Sequence, residues 1–247
     1  MNPKIKFRGF KKDGQPVSSG QKVAEISGPV RSILTAERTG LNFLSRLSGI
    51  ATLTNAFVQK IKGTGAKIFD TRKTAPGLRE LEKYVVKSGG GTNHRFGLYD
   101  GILIKDNHIS AVLAAGEVKT RTEAIKYLVQ KSAALFLPLD GGGEVGVKKP
   151  EVEVENHAEA LAAASAGAAI IMLDNMTPLQ VRSACRKLKA VGFRGEIEVS
   201  GGITLDNVRQ YALAGADRIS IGRLTHSAPA LDFSLEIISK KFRHSRG

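Results

Sequence analysis

From residue 66 onward, short apolar runs alternate with stretches whose apolar positions recur at helical spacing. The runs at 66–69, 101–105, 152–155, 169–173, 197–199 and 218–221 read as strands, and 157–166, 177–191 and 205–214 read as helices between them. Repeated strand–helix units with buried-looking strands predict a parallel α/β architecture. Periodicity alone leaves a barrel and a doubly wound open sheet both open. Ahead of these units the spacing predicts one long helix over 36–62, with Leu41, Leu44, Leu47, Ile50, Leu53 and Phe57 on one face and Arg46 and Gln59 off it. Gly49 lies inside that helix at some cost in propensity. Residues 1–35 look different. Turn signals at Asp13-Gly14 and Ser19-Gly20 separate short strand patterns, the last ending at Gly28-Pro29. This β-rich piece is too small for its own core and is expected to pack on something else, another subunit included. The segment 138–150, with Gly141-Gly142-Gly143, reads as a flexible insertion before the third strand of the repeat.

The polar residues gather just after the strands. Asp70-Thr71-Arg72-Lys73-Thr74 follows the first, Lys105-Asp106-Asn107-His108 the second and Asp174-Asn175 the fourth. Ser200-Gly201-Gly202 follows the fifth, and Gly222-Arg223-Leu224-Thr225-His226 the sixth. The carboxyl edge of a parallel sheet is where α/β folds bind ligands. A glycine turn after a strand is ordinary by itself. Two in adjacent units, after the last two strands, point to a phosphate held by backbone N–H groups. Arg72, Lys73, Arg95 and Lys105 stand at strand ends or in the loop between them rather than on helix surfaces, which suits anion recognition. Glu153 and Asp174 are carboxylates on neighbouring strands, able to hold a divalent cation, accept sugar hydroxyls or stabilise a developing positive charge. Salt bridges to the nearby cations are the alternative use for both. Glu151 and Glu155 are weaker candidates, because either can face outward. His94, His108 and His226 lack metal-ligand spacing.

The formal net charge of +14 attracts polyanions, whether nucleic acid, a membrane surface or a phosphorylated small molecule. Charge placement favours the last: no basic helix with interleaved aromatics is present, although the basic tail Lys240-Lys241-Phe242-Arg243 could bind acidic polymers weakly. A lone cysteine, Cys185, excludes an internal disulfide. No apolar stretch is long enough for a membrane span and no secretory h-region is visible, so a cytoplasmic location is expected. Nothing resembles a nucleophilic serine elbow or a reactive thiol setting.

Several of these strings together resemble the quinolinate phosphoribosyltransferase family. They are Glu37-Arg38-Thr39-Gly40-Leu41-Asn42, Asp70-Thr71-Arg72-Lys73-Thr74-Ala75-Pro76-Gly77, Gly89-Gly90-Gly91-Thr92-Asn93-His94-Arg95 and Leu103-Ile104-Lys105-Asp106-Asn107-His108. Glu151-Val152-Glu153-Val154, Met172-Leu173-Asp174-Asn175-Met176, Ser200-Gly201-Gly202-Ile203 and Leu224-Thr225-His226-Ser227 complete the series. The resemblance runs from about Val17 to Ile237. It implies an incomplete parallel α/β barrel over 41–227 and a small N-terminal open α/β sandwich over 1–40, rejoined by the tail 228–247. It implies a homodimer, or a hexamer of dimers, in which one sandwich covers the partner's barrel. The implied reaction joins quinolinate to 5-phosphoribosyl 1-diphosphate with Mg²⁺, giving nicotinate mononucleotide, pyrophosphate and CO₂.

The implied roles place Arg72, His94, Arg95 and Lys105, with Arg38 of a partner copy, around the quinolinate carboxylates. Lys73 and Lys105 face the pyrophosphate, and Glu153 and Asp174 serve the ribose hydroxyls and the metal, with Lys73, Glu153 and Asp174 closest to the chemistry. Ser200, Gly201, Gly202, Gly222 and His226 line the 5-phosphate pocket. By the same resemblance the first helices and strands of the sandwich are expected to be missing, which makes an inactive fragment one alternative. A paralogue encoded with molybdate transporters is another; the presence of Asn93-His94-Arg95 and Lys105-Asp106-Asn107-His108 favours the quinolinate enzyme over it. No specific nucleic-acid or membrane partner is expected.

Overall fold

A computed structural model of the chain describes residues 2–134 and 150–238. The insertion expected at 138–150 therefore lies almost wholly outside the described residues, as does the basic tail at 240–243. Two sheets are present among them. Strands β1 (Lys6–Gly9) and β2 (Ala24–Ser27) form an antiparallel pair, with Phe7 opposite Ile26. The second sheet is wholly parallel and holds β3 (Lys67–Phe69), β4 (Leu103–Ile104), β5 (Glu151–Val154), β6 (Ile170–Asp174), β7 (Glu196–Ser200) and β8 (Arg218–Ser220).

The strand order is β3-β8-β7-β6-β5-β4. Successive strands lie side by side from β4 to β8, and the first strand joins the last. A doubly wound sheet reverses direction at a switch point; this order is cyclic, the mark of a barrel. The ring is open between β3 and β4; on that side of β3 the described residues show the isolated bridge Phe69–Thr92. The incomplete parallel barrel is thus the architecture found.

Local signals explain the elements. Helix α1 (Val30–Lys60) starts directly after Pro29, six residues before the predicted start. Its first turns expose Val30 and Leu34, so the one-sided apolar periodicity that marks the buried part is weak there. Gly49 is explained by packing: a Cβ there would come within 2.0 Å of the Pro229 carbonyl oxygen. The tail crosses α1 at that point, and Leu231 N–H donates to the Ser45 carbonyl at 3.0 Å. Helices α2 (Arg79–Ser88), α3 (Asp106–Ala114) and α4 (Arg121–Ala134) follow. Helix α5 (His157–Ala166) is capped by Asn156, whose side chain accepts from Glu159 N–H at 3.0 Å. Helix α6 (Pro178–Ala190) has Thr177 as cap, proline in its first turn and a capping box with Gln180. Helices α7 (Val208–Ala214) and α8 (Arg223–His226) are short.

The strands divide two chemistries. Val152, Val154, Ile171, Leu173, Ile197, Val199 and Ile219 are buried under the helices in one continuous core. The alternate positions, paired by register, carry Glu151, Glu153, Met172, Asp174, Glu198, Ser200, Arg218 and Ser220 on the inner face of the barrel. No helix of the described residues is long and apolar enough to cross a membrane.

Candidate active site

The carboxyl ends of the strands carry a depression of about 380 Å³ lined by Arg72, Arg95, Leu98, Gly101, Ile102, Leu103, Lys105, Asn107 and His108. Arg72 comes from the loop after β3, Lys105 from the end of β4, and Arg95 from the segment that bridges onto β3. Arg95 is fixed by donation from its Nη1 to the Gly101 carbonyl at 2.9 Å. Burial and the neighbouring Arg72 both lower the proton affinity of the Arg95 guanidinium. An anion placed between these cations relieves that repulsion. Apolar Leu98, Ile102 and Leu103 share the lining, so the pocket suits a flat, apolar-bodied anion of small size. Sequence reasoning did not single out this apolar lining, and it left His108 aside. His108 Nδ1 accepts from Lys105 N–H at 2.9 Å and so fixes the backbone that carries Lys105.

Next to this pocket, Lys105 pairs with Glu153. Asp174, on the neighbouring strand, is pushed above the usual carboxylate range by burial and by the negative charge of Glu153, against the pull of Lys105 and Lys73. Asn175 holds Asp174, its Nδ2 donating to Oδ2 at 2.6 Å, and adopts a left-handed backbone with φ 53°. A Cβ on Gly201 would meet Asn175 Oδ1 at 2.1 Å, so only glycine lets β6 and β7 end this close together. Gly201 itself has φ +89°.

One expectation is corrected at this edge. The Ser200-Gly201-Gly202 turn does not open straight onto a helix containing Asp206. Thr204 N–H instead donates to the Asn207 side chain at 2.8 Å, and α7 begins only at Val208. Backbone N–H groups, rather than a helix dipole, are what this turn offers an anion. Ser200 lies opposite Ser220 in register. The Lys73 stem and the His226 ring both lie against Gly222: a Cβ there would be 3.1 Å from Lys73 Cδ and 3.3 Å from His226 Nε2. Lys73, Gly222 and His226 are therefore one cluster.

His94 is placed differently from the other cations. It is buried beneath the pocket, with Nε2 3.1 Å from Glu151 and 3.4 Å from Glu198. The other ring nitrogen, Nδ1, accepts from Arg95 N–H at 2.8 Å. Burial works against a charge on the ring, but Glu151 and Glu198 outweigh it and its pKa is pushed up to about 9. A second proton must enter at Nδ1 and displace the Arg95 amide. That contact is worth about 1 kcal/mol, less than one pKa unit, so the carboxylates still dominate. Glu151 therefore faces inward, contrary to its weak standing in the sequence.

The ligand atoms of His94, Glu151 and Glu198 lie within 4.8 Å of one another, close enough for a metal triad. Their hydrogen bonds argue for an ion-pair network instead. Arg218 Nε donates to Glu198 at 2.6 Å, as does the Ser220 hydroxyl at 2.5 Å, and a guanidinium in contact opposes a bound cation. His94 hydrogen-bonds from its backbone too: its N–H donates to Asp70 at 2.7 Å, and its carbonyl accepts from Lys83 Nζ at 3.0 Å. Lys83 and Asp70 themselves form a fully buried pair at 2.8 Å. Arg38 is not brought to the site; it is exposed on α1. Cys185 is half-buried on α6 and its thiol is pushed up to about 11 by burial and Asp217, so it stays protonated.

Comparisons with known proteins place the chain in a family. The family model for the quinolinate phosphoribosyl transferase C-terminal domain matches residues 50–236, and that for its N-terminal domain matches residues 1–48. A probable nicotinate-nucleotide pyrophosphorylase [carboxylating] of Bacillus subtilis is 44% identical over 92% of this chain and 71% of its own length. One from Archaeoglobus fulgidus is also 44% identical, over 92% of this chain and 82% of its own. The crystal structure of NadC from Streptococcus pyogenes superposes with a TM-score of 0.79 at 43% identity, covering 95% of this chain and 76% of that one.

Proposed function

The chain belongs to the quinolinate phosphoribosyltransferase family, and from that premise we propose how its site works. It is a pentosyltransferase that joins quinolinate to 5-phosphoribosyl 1-diphosphate and makes nicotinate mononucleotide, pyrophosphate and CO₂. The observation that carries the reading is the three-cation pocket of Arg72, Arg95 and Lys105 set beside the Glu153–Asp174 pair.

Quinolinate is a flat dianion, and the pocket answers it with guanidinium forks and an ammonium around an apolar lining. His94, beneath, is held by Glu151 and Glu198 and adds positive charge without facing the substrate directly. Lys73, with Gly222 and His226, takes the phosphates of the donor; Ser200, Gly201 and Gly202 complete the 5-phosphate side. The pyridine nitrogen forms its bond to ribose C1 as the C1–O bond to pyrophosphate breaks. Positive charge builds on the ribose, where Glu153 and Asp174 stabilise it. The bonded ring nitrogen is then cationic and accepts the electron pair left when the adjacent carboxylate departs as CO₂, and a proton takes its place on carbon. No protein nucleophile is required.

Glu153 and Asp174 fit Mg²⁺. They offer hard oxygen donors, and the raised proton affinity of Asp174 marks a place short of positive charge. Held there, Mg²⁺ would supply charge to neutralise the leaving pyrophosphate, alongside Lys73 and Lys105. Lys105 lines the pocket while paired with Glu153, and its ammonium has further donors for the substrate. We assign Arg38 to the site of a second copy, and the cytoplasm as the place of work. The test is CO₂ release from carboxyl-labelled quinolinate. Release that needs both 5-phosphoribosyl 1-diphosphate and Mg²⁺ supports the reading, and none from folded protein overturns it.

A further inference from the structure

Beneath the donor side of the site, the side chains of Arg46, Glu82 and Thr225, none with a catalytic role, close a ring of hydrogen bonds through the backbone of Lys73 and Ala75. Glu82 on α2 is fully buried. Its Oε1 accepts from Arg46 Nε at 3.1 Å, and its Oε2 accepts from Ala75 N–H at 3.2 Å. Arg46, from α1, also donates through Nη2 to the Thr225 carbonyl at 2.9 Å. Thr225, fully buried in α8, donates its hydroxyl to the Lys73 carbonyl at 2.7 Å, with the Gly222 carbonyl at 3.1 Å. The chain from Lys73 to Ala75 closes the circle.

We propose that Arg46, Glu82 and Thr225 are positioning residues for the phosphoribosyl donor, setting Lys73 against Gly222 and His226. The inference rests on the reading of Lys73, Gly222 and His226 as the donor pocket. Three elements distant in sequence meet in this ring, and its members fix the backbone that directly follows the Lys73 side chain, at the Lys73 carbonyl and the Ala75 amide. A buried carboxylate is costly unless fully used. Glu82 is used by one guanidinium and one amide, and both lead to the 73–75 loop. The ring has no bond to Arg72, Arg95 or Lys105 side chains, so it acts on the donor half and leaves the quinolinate pocket alone.

The test uses the whole chain and its full reaction. Thr225→Val removes the hydroxyl at nearly constant volume, and Arg46→Ala opens a gap that guanidinium ion in the buffer can refill. The expected result is a rise of roughly tenfold in KM for 5-phosphoribosyl 1-diphosphate. KM for quinolinate stays within about twofold, and guanidinium restores the donor KM of Arg46→Ala. A fall in kcat with both KM values unchanged marks a merely structural role and overturns the proposal; so does a parallel rise in both KM values. Should Arg46→Ala fail to fold, Thr225→Val decides alone on the same split. A wild-type enzyme without activity that still binds the donor refutes the reaction while leaving the ring testable by donor titration of both variants.

Discussion

Arg72 is the residue whose loss most directly separates binding from chemistry. Arg72→Ala removes a charge-assisted fork from the pocket and should raise KM for quinolinate by roughly tenfold to a hundredfold, with a smaller change in kcat. Asp174→Ala should do the reverse, lowering kcat with KM for quinolinate little changed; near-normal turnover in that variant would remove Asp174 from the chemistry. His94 gives a pH signature. Its folded pKa is raised from 6.5 to about 9, so the folded protein binds the proton more tightly than the unfolded chain does. The stabilisation is complete below about pH 6.5 and is lost as pH climbs through about 9. Urea midpoints should therefore fall across that window, and Glu198→Gln, which withdraws one of the two carboxylates, should flatten the fall. An equal slope in both proteins would deny the His94–Glu198 coupling. Single residues were also where the sequence was least legible. Glu151 and Glu198 look like any alternating charge on a strand. Only the curvature that brings β5 and β7 to one interior, with His94 between them, gives them a shared partner.

At the scale of elements, the strand ends repeat one arrangement in which a short apolar run delivers a polar group to the carboxyl edge. The runs were visible in the sequence because the positions under the helices must be aliphatic. The helix boundaries were less so. The predicted start of α1 fell late because its first turns lack a buried face in a single chain, and α7 starts late because Asn207 ties down the preceding turn. Gly49 looked like a flaw in α1 until the tail was seen to cross it. Gly49→Ala should push Pro229 away and lower stability by about 1–3 kcal/mol, read as a drop in Tm. Unchanged Tm would mean that the tail segment does not hold α1.

For the whole molecule, β1 and the start of α1 expose apolar groups. Phe7 is 70% exposed and Val30 52%, on the same N-terminal part as Arg38. A lone chain gains nothing from such exposure, which supports the proposed assignment of Arg38 to the site of a second copy. Mixing Arg38→Ala with Asp174→Ala should give more activity than either variant alone, because on the proposed assignment a mixed pair keeps one site with both groups. Failure of the mixture to recover activity, with dimers present by sedimentation, would place Arg38 outside the reaction.

The sequence by itself determined the class of the fold, the order of its units and the strand ends at which polar chemistry gathers. It could do so because aliphatic burial under helices and glycine at tight turns are local demands that each residue type meets in place. The cyclic strand order, the buried union of His94 with Glu151 and Glu198, and the ring through Arg46, Glu82, Thr225 and Lys73 were decided by tertiary structure. Each joins residues far apart in the chain, and their partnership depends on distances that only the closed path of the backbone creates.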